Sequence, residues 1–388
     1  MSHDNTIFNQ LLHLMPRHDF ERLVESHSAD RYVKGFTCWR QLITLLYAQI
    51  KGHDSLRDIV TGLGAQHGKM YHIGLGRVAR STLSDANNSR DWRIYEGLFY
   101  KMLGRCKTVT PGHGFKFKNP LYSMDLTVVS LCLSMFEWAK YRKTKGALKI
   151  HCLLDHRGCI PSFAVITEGK RHDVKAAKEI DLPLVPDSII AVDRGYLDFS
   201  FLHSMHEKGC YFVTRAKDNM DFEVTGQQPM SNKKALVDDL KITLKGHYQK
   251  KAYPEELRYI IWHDEESDRL FSFITNNFSL AASTIAAIYK ARWQIELFFK
   301  WIKQNLKIKS FLGTTANAVM SQIWVAMCYF LLLAFIKFQT RYRYSLLALT
   351  RLFRETLMER VSMLELLSFN PEKGPPVIPQ SSPQLSLF

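Results

Sequence analysis

Apolar positions change rhythm twice along the chain. From residue 5 to residue 105 they recur at helical spacing. Leu11, Leu12, Leu14 and Met15 form an early cluster, and Trp39, Leu42, Leu45, Leu46 and Ile50 follow near the helical period. Gly62, Gly64 and Gly68 then break that pattern. Residues 108–120 (TVTPGHGFKFKNP) hold Pro and Gly with few periodic apolar positions, and read as a linker. Beyond it the rhythm becomes that of strands. Residues 121–133 are rich in Val, Leu and Thr and predict a buried strand. Residues 149–154 and 160–167 predict a second and third, joined by a turn at His156-Arg157-Gly158. A fourth over 188–193 and a fifth over 211–214 follow, with helices over 173–180 and 200–208 in between. Three strands, helix, strand, helix, strand is an α/β layout.

Residues 216–279 alternate short strand-like runs with polar stretches and end in LFSFITNN, which predicts a mostly β insertion. A long helix is expected over 284–307 and a strongly apolar one over 316–337. The predicted organisation is a helical N-terminal domain (1–107), a linker (108–120), and an α/β core in two parts (121–215 and 280–340) around the insertion (216–279). C-terminal helices (341–370) and a flexible tail (371–388) complete it, the Pro-rich stretch at 371–383 being unable to build a core.

Composition narrows the function. A chain of 388 residues exceeds one ordinary core and suggests two or three domains. Lys and Arg number 52 against 37 Asp and Glu, a net charge of +15 that favours a polyanionic partner, nucleic acid first. The seven cysteines (Cys38, Cys106, Cys132, Cys152, Cys159, Cys210 and Cys328) are scattered and odd in number, which argues against a disulfide framework or a zinc ribbon. His151, Cys152, His156 and Cys159 do cluster, but a strand followed by a turn explains them better than zinc. The opening MSHDNTIFNQ carries charge where a signal peptide needs an apolar run. The apolar stretch over 323–336 is shorter than the ~20 residues of a membrane span and reads as a buried core helix. The expected compartment is the cytoplasm, with no membrane partner.

Two aspartates and one glutamate carry the candidate chemistry. Asp125 sits inside an apolar strand (SMDLTVVSLCL), where a carboxylate is costly unless paired or bound to metal. Asp193 ends the apolar run IIAV, at the strand end where α/β sheets place their sites. Taken alone, either could be a helix cap or a turn residue. On the helix over 284–307, Tyr289, Arg292, Glu296 and Lys303 project onto one narrow stripe with Lys300 and Lys307. Most of the remaining face is apolar: Ile288, Ile295, Leu297, Phe298, Phe299, Trp301 and Ile302. Such a thin polar stripe suits the wall of a cleft, although Glu296 can also pair with Arg292 and Lys300 at four-residue spacing. Three hard oxygen ligands favour Mg²⁺ or Mn²⁺ over zinc. Two such ions could clamp both oxygens of an in-line phosphoryl displacement.

The spacing Y-x2-R-x3-E-x6-K at Tyr289, Arg292, Glu296 and Lys303 resembles the YREK signature of the IS4 family of bacterial insertion-sequence transposases. The segment around Asp125 and the AVDRGY around Asp193 resemble that family's two acidic blocks, and TRAK (214–217) and FITNN (273–277) resemble further family segments. The resemblance covers residues 121–340, and more loosely the helical N-terminal region. It implies an RNase H-like core with a β-rich insertion before the glutamate helix. It implies a DDE triad of Asp125, Asp193 and Glu296 that binds the metal and cuts and joins DNA. Tyr289, Arg292 and Lys303 would contact DNA near the cleaved end, joined by Lys300, Arg194 and Lys217. Double-stranded DNA, a homodimeric synaptic complex and a hairpin intermediate are what it implies of partners and course. The N-terminal region would read the inverted repeats, with residues 53–65 and 77–88 either a helix-turn-helix or an ordinary helical hairpin. The final QLSLF resembles the peptide by which bacterial replication proteins bind the β sliding clamp, with Gln384, Leu385, Leu387 and Phe388 as its contacts, or else it packs on the body. The rival readings are another RNase H-like nuclease, such as a resolvase, and a non-catalytic DNA-binding protein derived from a transposase.

Overall fold

The computed structural model describes residues 5–131, 136, 138–142, 145–168, 182–229, 235–306 and 311–368. The helix expected over 173–180, Lys307, Cys132 and the QLSLF peptide lie outside the described residues.

The N-terminal region is helical, as its periodicity predicts: Ile7–His13, Arg17–Ser26, Cys38–Lys51, Leu56–Ala65, His67–Met70, Arg80–Ser89 and Arg93–Lys107. Cys38–Lys51 shows why. The Thr37 side chain accepts a hydrogen bond from Arg40 N at its start, Gly52 closes it at φ 76°, and Leu42, Leu45, Leu46 and Ile50 lie inside. The glycines do not break the next helix. Gly62 and Gly64 lie within Leu56–Ala65. Gly62 serves close packing, because a Cβ there would sit 2.9 Å from both His53 Nε2 and Tyr47 Oη.

Among the described residues ten strands form one sheet: β1 Leu121–Leu131, β2 Lys140–Arg142, β3 Lys145–Asp155, β4 Ile160–Glu168, β5 Ile189–Val192, β6 Tyr211–Arg215, β7 Phe222–Gln227, β8 Leu236–Leu244, β9 Leu257–Asp264 and β10 Arg269–Thr275. The hairpin strands β4, β3 and β1 are antiparallel, while β1, β5 and β6 run parallel. The order β4-β3-β1-β5-β6, three antiparallel strands then two parallel, is the RNase H-like arrangement. The β-rich stretch after β6 continues this sheet: β10 pairs antiparallel with β6, and β9, β8 and β7 follow outward. The short strand β2 carries no alternating signal and was not expected.

The helix expected over 284–307 is two helices, Ala282–Ala291 and Trp293–Asn305, broken at Arg292. The first packs Ile285 and Ile288 against Leu121, Ile189, Ala191 and Val213 of the sheet. The second packs Ile295, Phe298 and Phe299 into the largest core cluster. That cluster runs from the N-terminal helices, through Ala316–Gln339, to Val129, Leu148 and Ile150 of the sheet. Ala316–Gln339 has 24 residues and is long and apolar enough to cross a membrane, so the length argument against a span fails. Burial decides instead: 94% of its most apolar window lies inside the protein. The helices Leu346–Thr356 and Met363–Ser368 follow, and the chain between them closes on the start, with Phe8 N donating to Leu357 O at 2.8 Å.

Candidate active site

Strand register brings the two aspartates together. In the parallel pair β1–β5, Leu121 faces Ile189 and Met124 faces Val192. One step further, Asp125 comes level with Asp193, where β5 ends. Side chains alternate across a sheet, so Asp125 and Asp193 share a face with Leu121, Ile189 and Ala191. That is the face covered by the helix Ala282–Ala291. The helical layer therefore delivers Arg292 and Glu296 over the two aspartates.

One guanidinium joins the three acids. Arg292 Nη1 lies 3.4 Å from Asp125 Oδ2, and Nη2 lies 3.6 Å from Asp193 Oδ2 and 2.7 Å from Glu296 Oε1. The remaining lone pairs are partly satisfied locally. Leu126 N donates to Asp125 Oδ1 at 2.8 Å, and Gly195 N donates to Asp193 Oδ1 at 2.9 Å. Burial, reinforced by Asp193 and Glu296, pushes the Asp125 carboxyl up to about 6 against the pull of Leu126 N and Arg292. Burial opposes the charge on Arg292, but Tyr289, Glu296, Asp193 and Asp125 outweigh it and hold its pKa above the ordinary value.

The donor set is right for a hard divalent cation: three carboxylates, from β1, the end of β5 and the helix Trp293–Asn305. As they stand, no three described His, Cys, Asp or Glu side chains are close enough to grip one ion, because the guanidinium stands among them. The two histidines of the His151, Cys152, His156 and Cys159 cluster are engaged with hydroxyls. His151 Nε2 pairs with Thr167 Oγ1 at 3.0 Å and His156 Nε2 with Ser123 Oγ at 2.7 Å.

The other predicted residues are placed unevenly. The Tyr289 ring packs 5.1 Å from Phe273, centroid to centroid, with the Arg292 guanidinium 5.5 Å above it. Glu296 pairs with Arg292, so the ion-pair reading of the stripe is correct in that part; among the described residues Lys300 forms no ion pair with Glu296. Lys300 is exposed and Lys303 half-buried, on the second helix. Arg194 pairs with Asp218 at 3.0 Å and Lys217 Nζ donates to Leu197 O at 3.3 Å, so neither joins the acids. The apolar face of the stripe is not wholly covered either: Trp293 and Leu297 are exposed. Trp293 borders a groove of about 480 Å³ that Trp262, Phe271, Phe273, Tyr289 and Arg292 also line. Sequence reading missed this groove, whose walls come from β9, β10 and two helices. Its one local trace is Phe271 and Phe273, two residues apart and so on one face of β10.

A carboxylate set carried by neighbouring central strands of an RNase H-like sheet and the helix over them defines a class of metal-dependent phosphoryl-transfer enzymes. The comparisons sharpen the class. Residues 116–331 match the transposase DDE domain, and residues 3–76 match a domain of unknown function, DUF4372. A Sinorhizobium fredii protein named as transposase y4zB is 30% identical over 76% of this chain and 81% of its own length. The protein named as the transposase of insertion sequence element IS5377 from Geobacillus stearothermophilus is 27% identical over 88% of this chain and 87% of its own. A piggyBac transposase synaptic complex with hairpin DNA superposes with a TM-score of 0.48 at 8% identity, covering 96% of this chain and 82% of that one. The chain belongs to the DDE transposase family, and is a DNA-cleaving, strand-transferring enzyme of the insertion-sequence kind. Domains of this family work with divalent metal ions.

Proposed function

We propose that Asp125, Asp193 and Glu296 are the catalytic, metal-holding acids of a transposase of the IS4 type. It binds the terminal inverted repeats of its insertion sequence, cuts the ends and joins them to target DNA. The observation that carries the triad is the meeting of three carboxylates, from three separate segments, on one guanidinium. Family membership favours this reading over a resolvase-like nuclease or a non-catalytic binding protein.

Bound by these acids, Mg²⁺ or Mn²⁺, as two ions, would lower the pKa of the attacking water or 3′-hydroxyl and stabilise the departing oxygen. The protein's own part is positional. Asp125 holds its carboxylate within β1 and Asp193 just past the end of β5, and Glu296 closes the set from the helix above. Tyr289, Arg292, Lys300 and Lys303, on the two helices that meet at Arg292, take the phosphates of the transposon end. Arg194 and Lys217, on the loops after β5 and β6, hold DNA further out. The helical N-terminal region reads the inverted repeats, and the enzyme works as a homodimer in a synaptic complex through a hairpin. It acts in the bacterial cytoplasm, on the nucleoid. The C-terminal Gln384, Leu385, Leu387 and Phe388 dock on the β sliding clamp.

The test uses purified protein, Mg²⁺ and DNA carrying the inverted repeats that flank its gene. Glu296→Gln is expected to lose cleavage while binding the same DNA within about twofold. Cleavage at the unmodified rate would sink the assignment.

A further inference from the structure

Arg292 sits where a cation belongs. Its side chain is 11% exposed, against 19%, 40% and 33% for Asp125, Asp193 and Glu296. The arginine side chain as a whole is thus the least exposed of the four, and its guanidinium contacts all three acids. Its hold on the three acids is uneven. Only the Glu296 contact at 2.7 Å is short, and among the described residues its Nε finds no hydrogen-bond partner. A buried guanidinium ordinarily satisfies its whole fork of donors. Its backbone lies at the break between two helices, and its side chain borders the groove that Tyr289 and Trp293 line. The groove is open volume of about 480 Å³ directly beside the guanidinium.

We propose that Arg292 is a placeholder cation. In the DNA-free protein it holds the three acids together and resists metal. A backbone phosphate of the bound DNA end then draws it into the groove, and the vacated acids take the metal. This rests on the metal-binding triad proposed above. The physics is competition. The three carboxylates attract any cation, and a guanidinium among them repels a divalent ion bound to the same oxygens. A phosphate offers the guanidinium a bidentate partner of equal quality. The triad then trades one positive charge for a metal ion only once the substrate is present. By linkage, whatever factor DNA adds to metal affinity, metal adds to DNA affinity. The device would keep a DNA-cutting enzyme unloaded away from its ends.

The experiment is a Mn²⁺ titration of the full chain, followed by the electron paramagnetic resonance of free Mn²⁺, with and without duplex carrying the inverted repeats that flank its gene. Arg292→Gln without DNA is expected to bind Mn²⁺ about tenfold more tightly than the unmodified protein. Adding DNA should tighten the unmodified protein by a similar factor and the variant by no more than about twofold. Arg292→Lys, which keeps the charge but not the fork, should fall between, and carries the test if the glutamine variant does not fold. Equal or weaker Mn²⁺ binding by Arg292→Gln, with the unmodified protein binding normally, would overturn the placeholder and leave the triad standing. Mn²⁺ binding unaffected by Glu296→Gln and Asp125→Asn would overturn the triad itself, and the placeholder with it.

Discussion

Asp125 and Arg292 stand 167 residues apart in the chain and 3.4 Å apart in the fold. The contact stabilises Asp125 only in part. Burial still pushes its carboxyl up to about 6, against an ordinary 3.8. A folded-state pKa above the ordinary value means that the folded protein keeps a proton the unfolded chain has released. This group's contribution therefore falls as pH rises from about 4 to about 6, and the penalty is fully present above that window. Asp125→Asn carries no charge to desolvate. At neutral pH the metal-free variant is expected to be more stable than the unmodified protein, by on the order of 1–3 kcal/mol. Below about pH 4 the two should converge. Cleavage should be lost throughout. Urea unfolding at both pH values measures the difference, and a variant less stable at neutral pH would contradict the origin of the shift.

Much of this site was legible in one dimension because it is built from local patterns. The apolar runs around Asp125 and Asp193 mark central strands, and the Tyr289-to-Lys303 spacing marks the signature. What escaped depends on pairing across the fold. Nothing between residues 284 and 307 breaks a helix, neither Pro nor Gly, yet two helices meet at Arg292, whose side chain reaches Asp125 and Asp193 on the strand side and Glu296 one turn further on. Gly62 reads as a breaker by propensity, but packing against Tyr47 and His53 decides its use. The stretch after β6 reads as a separate insertion, because alternation reports that strands exist and not which edge they join. Register is set by partners, and here β10 takes the free edge of β6.

The C-terminal peptide makes a separable prediction. Gln384, Leu385, Leu387 and Phe388 lie outside the segments that carry Asp125, Asp193 and Glu296, so removing them tests the proposed clamp docking apart from cleavage. Deleting residues 384–388 should abolish pull-down of purified β sliding clamp and leave cleavage of inverted-repeat DNA unchanged. Undiminished clamp capture by the truncated chain, or none by the intact one, would reject the docking role.

The helix that presents Tyr289 and Arg292 is anchored by a buried ion pair between strands. Arg258 on β9 meets Asp239 on β8 through two bonds of 2.8 and 2.7 Å, with the side chains 5% and 2% exposed. The same guanidinium donates to Asn277 O at 3.1 Å and Leu280 O at 2.5 Å, the carbonyls of the turn that launches Ala282–Ala291. Arg258 thus ties the outer strands to the start of the catalytic helix layer. Removing one partner strands the other charge in the interior. Arg258→Met should therefore cost about 3–5 kcal/mol in urea unfolding, far more than a surface pair. Replacing both, as Asp239→Leu with Arg258→Met, should recover part of that loss, because two apolar side chains leave no buried charge. The turn carbonyls would still lack their donor, so the double variant is expected to regain stability without regaining full cleavage. If Arg258→Met unfolds like the unmodified protein, the pair is not the anchor of this turn.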